Sequence, residues 1–126
     1  MKAAYSGKEE IMSYDIWIVD SKGSPIKHNV RGGTYALGGS WSLEVNVTFN
    51  YAPFFTKAFH DERGIKSLNG MKCMDAIPLI VEAMRRLGDD ETSNYWDATE
   101  GNAKRALESV LHIVSLGYDG TIAMHW

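Results

Sequence analysis

A single cysteine, Cys73, stands in the 126-residue chain, so no intrachain disulfide can form and the fold must hold by burial alone. Such sparing cysteine use fits a reducing compartment. Long apolar runs are also missing. The longest, Ala76 to Val81, is interrupted by Pro78 and is far short of a membrane span. Met1 to Met12 hold no apolar stretch of signal-peptide length, so the cytoplasm is the expected location. Basic clusters are absent as well. Lys and Arg number 13 against 16 Asp and Glu, a net charge of -3, and they are scattered. Binding to nucleic acid by phosphate neutralisation needs a positive footprint, so neither nucleic acid nor membrane is expected as a partner.

The motifs of catalysis are missing too. His28, His60, His112 and His125 form no i,i+4 pair and no His-Glu-x-x-His pattern, so no metal site is expected. His112 reads as a solvent-facing helix residue. No Gly-x-Ser-x-Gly elbow occurs. Cys73, beside Lys72 near a helix start, reads as a small buried apolar residue rather than a nucleophile. Asp89, Asp90, Glu91 and Glu100 read as loop and capping charge. No catalytic residue or cofactor is expected, and nothing in these motifs demands an enzyme.

What remains is an ordinary globular composition, with 44% hydrophobic and 23% charged residues, enough for one core. Residues 1–11 are polar and weakly patterned and read as a flexible extension; 12–126 read as one domain. A strand is expected from Tyr14 to Asp20, a turn over Ser21–Pro25, and a short pairing segment over Ile26–Val30. Trp41 to Asn50 alternates strictly, with Trp41, Leu43, Val45, Val47 and Phe49 on one face. Between them, Thr34–Leu37 reads as a short strand bracketed by glycine pairs. Helices are expected from Ala52-Pro53 to His60, within Lys72 to Leu87, where Pro78 is tolerated if the helix starts near Asp75 and kinks it if it starts earlier, and from a Thr99 cap to Gly117. Gly120–Trp126 reads as a last strand. The fold class is α+β: an antiparallel sheet of about four to five strands with about three helices on one face.

Four places invite a ligand. Arg31, Thr34 and Tyr35 lie in a Gly-rich segment where backbone can approach a ligand and Arg31 can pair with a phosphate or carboxylate; two tight turns are the plainer reading. Asn46, Thr48 and Asn50 line the polar face of the long strand. Asparagine is depleted in strands, so a ligand groove and ordinary solvation or capping are both open there. Tyr95 and Trp96 precede a helix N-terminus capped by Thr99, with Asn102 just inside it. Aromatics can stack on a planar base while free N–H groups hold a phosphate; loop anchoring is the competing role. Finally Trp17, Tyr51, Phe54 and Phe55 are candidates for an aromatic protein-binding patch.

Several segments together carry a resemblance. They are Ser13–Ile16, Arg31–Gly39, Asn46–Tyr51, Gly64–Met71, Ala76–Pro78, Tyr95–Lys104 and the Asp119–Gly120 turn. The chain from Met12 onward resembles a family of small, uncharacterised bacterial and phage proteins. The resemblance implies no activity or site. It departs at Lys72–Asp75, where members usually carry Thr-Gly-Ala-Glu. The expected function is a non-enzymatic small-ligand-binding protein, phage-encoded, that sequesters a nucleotide-like immune signal in the host cytoplasm and can form a homo-oligomer. The alternatives are an inhibitor that binds a host defence enzyme, and a nucleotide-processing enzyme using Glu44 or Asp97 as a base.

Overall fold

Alternation in the first strand organises the sheet. The computed structural model describes residues 12–29 and 40–126. In it β1 (Ser13–Val19) buries Tyr14, Ile16 and Ile18 and turns Asp15 to solvent. After the Ser21–Pro25 turn come β2 (Lys27–Asn29), then β3 (Ser40–Ser42) and β4 (Glu44–Thr48). Two helices follow, α1 (Ala52–Phe59) and α2 (Cys73–Arg85), separated by a 3₁₀ segment at Gly64–Leu68. The long helix α3 (Glu100–Leu116) leads to the last strand, β5 (Thr121–His125). Among the described residues, no helix is long and apolar enough to cross a membrane.

The described strands form a three-stranded antiparallel sheet, ordered β4-β1-β5, and a separate two-stranded ribbon of β2 and β3. The four- to five-stranded single sheet expected from sequence is thus divided. The division falls at Leu43. Its N–H donates to the Ile26 carbonyl (3.1 Å), and its carbonyl accepts from the Ile18 N–H (3.1 Å). One residue therefore serves two partners: the chain before it pairs with β2 and the chain after it with β1. Leu43 and Val47 keep their buried places across the break, so the alternation of faces survives although the pairing changes. The Thr34–Leu37 strand lies outside the described residues. The long strand also ends early, because the Thr48 hydroxyl accepts the Asn50 N–H and starts a 3₁₀ turn at Phe49–Tyr51 that runs into α1.

Helix α3 carries the core. Its buried face, Ala103, Ala106, Leu107, Val110, Ile113 and Val114, lies against β1 and β4 on one side and α2 on the other. Each fully buried aliphatic side chain contributes about 1.5–3 kcal/mol over leaving it in water. Thr99 caps α3 as expected, and Gly117 closes it with an N–H to the Ile113 carbonyl. The central helix starts at Cys73, the earlier of the two starts the sequence left open, which leaves Pro78 inside it. Proline has no N–H to offer the Met74 carbonyl one turn back.

The two edges of the sheet differ. At β5 the outward backbone groups are taken: Ile122 donates to the Met71 carbonyl (2.9 Å) and accepts from Gly70 (2.8 Å), while Met124 donates to Asn69 Oδ1 (3.0 Å). Gly70 holds a φ of 84°, a left-handed turn that suits glycine. At β4, bonds from Phe49 to Met12 and from Ile18 to Leu43 show that odd-numbered residues face β1. Glu44 and Asn46 therefore turn their backbone groups outward.

Cys73 is buried beside β5, its N–H donating to the Gly120 carbonyl (3.0 Å), and burial pushes its thiol pKa up to about 11. The native protein should resist a disulfide thiol reagent at pH 8 and react with one equivalent once unfolded in guanidinium. Rapid reaction of the folded protein would show that Cys73 is reachable.

Candidate functional site

The segment between α2 and α3 is bound to the start of α3 by side chains of both. Three successive acids take three partners: Asp89 pairs with Lys104 (2.7 Å), Asp90 Oδ1 accepts the Gly101 N–H (2.9 Å), and Glu91 pairs with Arg105 (3.0 Å). The Thr99 hydroxyl accepts the Asn102 N–H (3.0 Å) and its carbonyl accepts from Ala103 (3.0 Å). The anion drawn to this helix end is thus the chain's own Asp90 carboxylate. Glycine at 101 is required by proximity, since a Cβ there would lie 2.5 Å from the Glu91 nitrogen and 2.6 Å from the Asp90 carbonyl carbon.

Asn102, 1% exposed, knots the segment. Its Oδ1 accepts the Thr92 N–H (3.0 Å), and its Nδ2 donates to Thr92 Oγ1 (3.0 Å), the Asn94 carbonyl (3.1 Å) and the Asp97 carbonyl (3.0 Å). Asp97 is engaged within the same segment, accepting from Thr92 (2.9 Å) and Asn94 (3.0 Å). These bonds occupy Thr99, Asn102 and Asp97 with the geometry of the loop itself.

That geometry delivers Tyr95 to the sheet. The buried Tyr51 hydroxyl donates to the Tyr95 carbonyl, and the two rings meet edge to face at 5.6 Å. Burial, with the neighbouring Tyr95 phenol, pushes the Tyr51 pKa up to about 12. The Tyr95 hydroxyl reaches the outward carbonyl of Asn46 (3.4 Å). Trp96 is 58% exposed and edges onto Tyr95 at 5.3 Å, and its carbonyl accepts from Asn50 Nδ2 (2.9 Å).

The strand asparagines have partners in the fold. Asn46 Nδ2 donates to Ser13 Oγ (2.8 Å) and Asp15 Oδ1 (2.7 Å) across the outer face of the sheet. Asn50 lies in the 3₁₀ turn rather than the strand, and docks the Trp96 carbonyl. Thr48 is buried and caps that turn. Arg31, Thr34 and Tyr35 lie outside the described residues. The aromatic patch expected of Trp17, Tyr51, Phe54 and Phe55 is not a surface, because Tyr51 and Phe55 are core residues and Phe54 packs against that core.

Among the described residues, the side of α3 and the outer edge of β4 leave a groove between them. One part, about 420 Å³, is walled by Val45, Asn46 and Val47 from the strand, Tyr95 from the loop, and Arg105 and Ser109 from α3. The next part, about 350 Å³, shares Val45, Arg105 and Ser109 and extends to Glu44, Glu108 and His112. These volumes are of the size that small-molecule sites occupy. Of the candidates named from sequence, Asn46 and Tyr95 come together here; Thr48, Asn50, Trp96, Thr99 and Asn102 do not line it. Arg105, Glu108, Ser109 and His112 were not singled out as binding residues. Their signal is positional: Arg105, Ser109 and His112 recur at helical spacing along one flank of the α3 apolar stripe. Arg105 keeps guanidinium donors beyond the Nη1 that meets Glu91.

Among the described residues, no group of three or more His, Cys, Asp or Glu side chains is gathered for a metal ion. No family model, curated protein or solved structure matches the chain.

Removing the Asn102 amide leaves the half-buried Thr92 N–H without its partner. Asn102→Ala should therefore cost roughly 2–4 kcal/mol in urea unfolding and speed amide exchange across residues 92–97. Unchanged exchange there would show that the loop stands without it. Acid should act at Glu100, whose carboxyl is held below its ordinary range by Lys57 (2.8 Å) and then by the Gly88 N–H (2.8 Å). A depressed folded pKa stabilises above the unfolded value and is lost as pH falls through the folded one. Glu100→Gln should flatten the acid limb of the stability–pH curve; an unchanged limb would assign that slope to other carboxylates.

Proposed function

We propose that the chain is a non-enzymatic small-ligand-binding protein whose nucleotide-like ligand lies in the groove between β4 and α3. One observation carries this reading: strand edge, aromatic loop and arginine-bearing helix converge on a single cleft of ligand size. The cleft combines apolar wall, aromatic face and guanidinium, which together suit a molecule with a flat or apolar part and an anionic group. The Tyr95 hydroxyl on the Asn46 carbonyl obstructs that end of the strand edge, which favours a compact molecule over an added β-strand. The polar groups of Asp97 serve the loop, which speaks against a nucleotide-processing enzyme that uses it as a base. Sequestration of a nucleotide-like immune signal in a host cell by a phage-encoded protein is the biological role consistent with binding without turnover.

Calorimetric titration of the full chain with AMP and a panel of other nucleotides tests this. Arg105→Ala should weaken binding by about tenfold or more, the value of a charge-assisted bond, with secondary structure intact. Trp96→Ala, outside the groove, should leave the affinity unchanged. Tight binding that ignores Arg105 and depends on Trp96 would move the site to the loop surface.

A further inference from the structure

The groove has two electrostatically different ends. Arg105 lines both parts, but the part closed by Tyr95 holds no carboxylate, while Glu44, Glu108 and His112 line the other. Arg105 is joined to Glu91 through one nitrogen and keeps further donors. Glu44 and Glu108 form no ion pair among the described residues, and both are exposed. A phosphate laid along the whole groove would meet these carboxylates head-on, so a polyphosphate cannot fill it. Charge allows one orientation only: anion at Arg105, hydrogen-bond donors at the carboxylates.

Helix geometry sets the scale. Arg105 and Glu108, at i and i+3, are about 5–6 Å apart at Cβ. Arg105 and His112 are separated by seven residues, a rise of about 10 Å. On that scale the flexible Arg105 and Glu108 side chains can both reach one sugar phosphate, and His112 lies a further turn along the helix. Carboxylates accept two hydroxyl donors in a bidentate fashion and are a common partner of ribose hydroxyls. Ser109, shared by both parts of the groove, adds a hydroxyl between the two ends.

Resting on the nucleotide-like reading above, we infer that the groove recognises a ribose 5′-phosphate unit, with the phosphate at Arg105 and the vicinal 2′,3′-hydroxyls at Glu108 and Glu44. The sugar, not the base, is then the specifying group. Discrimination follows from charge-assisted hydrogen bonding: a ligand with the hydroxyls donates to the two exposed carboxylates, and one without them leaves the carboxylates to water.

Titration of the full chain with AMP, 2′,3′-dideoxy-AMP and IMP tests the assignment. AMP and IMP, which share the diol but differ in the base amine, should bind alike. Dideoxy-AMP should bind about tenfold more weakly, the cost of losing hydrogen bonds to a charged acceptor. In the Glu44→Gln, Glu108→Gln double variant, circular dichroism should be unchanged and the preference for AMP over dideoxy-AMP should fall to about twofold or less. Equal binding of AMP and dideoxy-AMP to the native protein would overturn the diol assignment and leave nucleotide binding standing. Loss of IMP binding with retention of dideoxy-AMP would place the donors on the base and overturn it as well. No binding of any of the three at about 1 mM would overturn both this assignment and the nucleotide reading.

Discussion

A primary amide removed from water must find partners for its carbonyl and its N–H groups within the protein, or the desolvation cost is not recovered. Asn102 meets that demand entirely from one loop, binding Thr92, Asn94 and Asp97 at once. The requirement is reciprocal: the amide needs the loop curled over it, and the loop's inward carbonyls need the amide. Gly101 allows the approach, because no side chain fits between α3 and the Asp90–Glu91 backbone. Around this knot the acids at 89–91 meet an N–H group and two cations of the first α3 turns, an arrangement that also satisfies the helix dipole.

Everything at the groove follows from that docking. With the loop held, the Tyr95 backbone lies over the Tyr51 hydroxyl and its ring over the edge of β4. Glu91 steadies Arg105 from the same loop. The sheet contributes the complementary constraint. Its β5 edge is closed by Asn69, Gly70 and Met71, whereas among the described residues the β4 edge is met at the Asn46 carbonyl alone. An open strand edge beneath an overhanging helix is a liability for unwanted pairing unless something occupies or caps it. Here Tyr95 caps one end, and the remaining space is the cleft.

Much of the fold was legible in particular residues. The alternation of Tyr14, Ile16 and Ile18, the Thr99 cap, the Gly117 stop and the Ile122–Met124 pair all state local geometry, and the structure keeps each. The unbroken alternation from Trp41 to Asn50 hid a change of partner at Leu43, because period-2 patterning records which face is buried and not which strand lies alongside. The asparagines left two readings open for a related reason. Asn46, Asn50 and Asn102 are unusual where they stand, and each is unusual because it bonds a distant segment of this chain. Arg105 and Ser109 were not singled out, since their relation to β4 depends on how α3 lies over the sheet.

Sequence alone determined what depends on neighbours along the chain: the α+β class, the capped and stopped α3, the lone unpaired cysteine, the scattered charge. These are consequences of propensity, spacing and composition, which act over a few residues. Only the tertiary structure decided where polar groups separated by many residues find one another. It gave the Thr99 helix end to Asp90, the Asn46 amide to Ser13 and Asp15, and the space beside β4 to Tyr95 and Arg105. Hydrogen bonds and clefts depend on distances across the core, and those are set by packing, which no local pattern encodes.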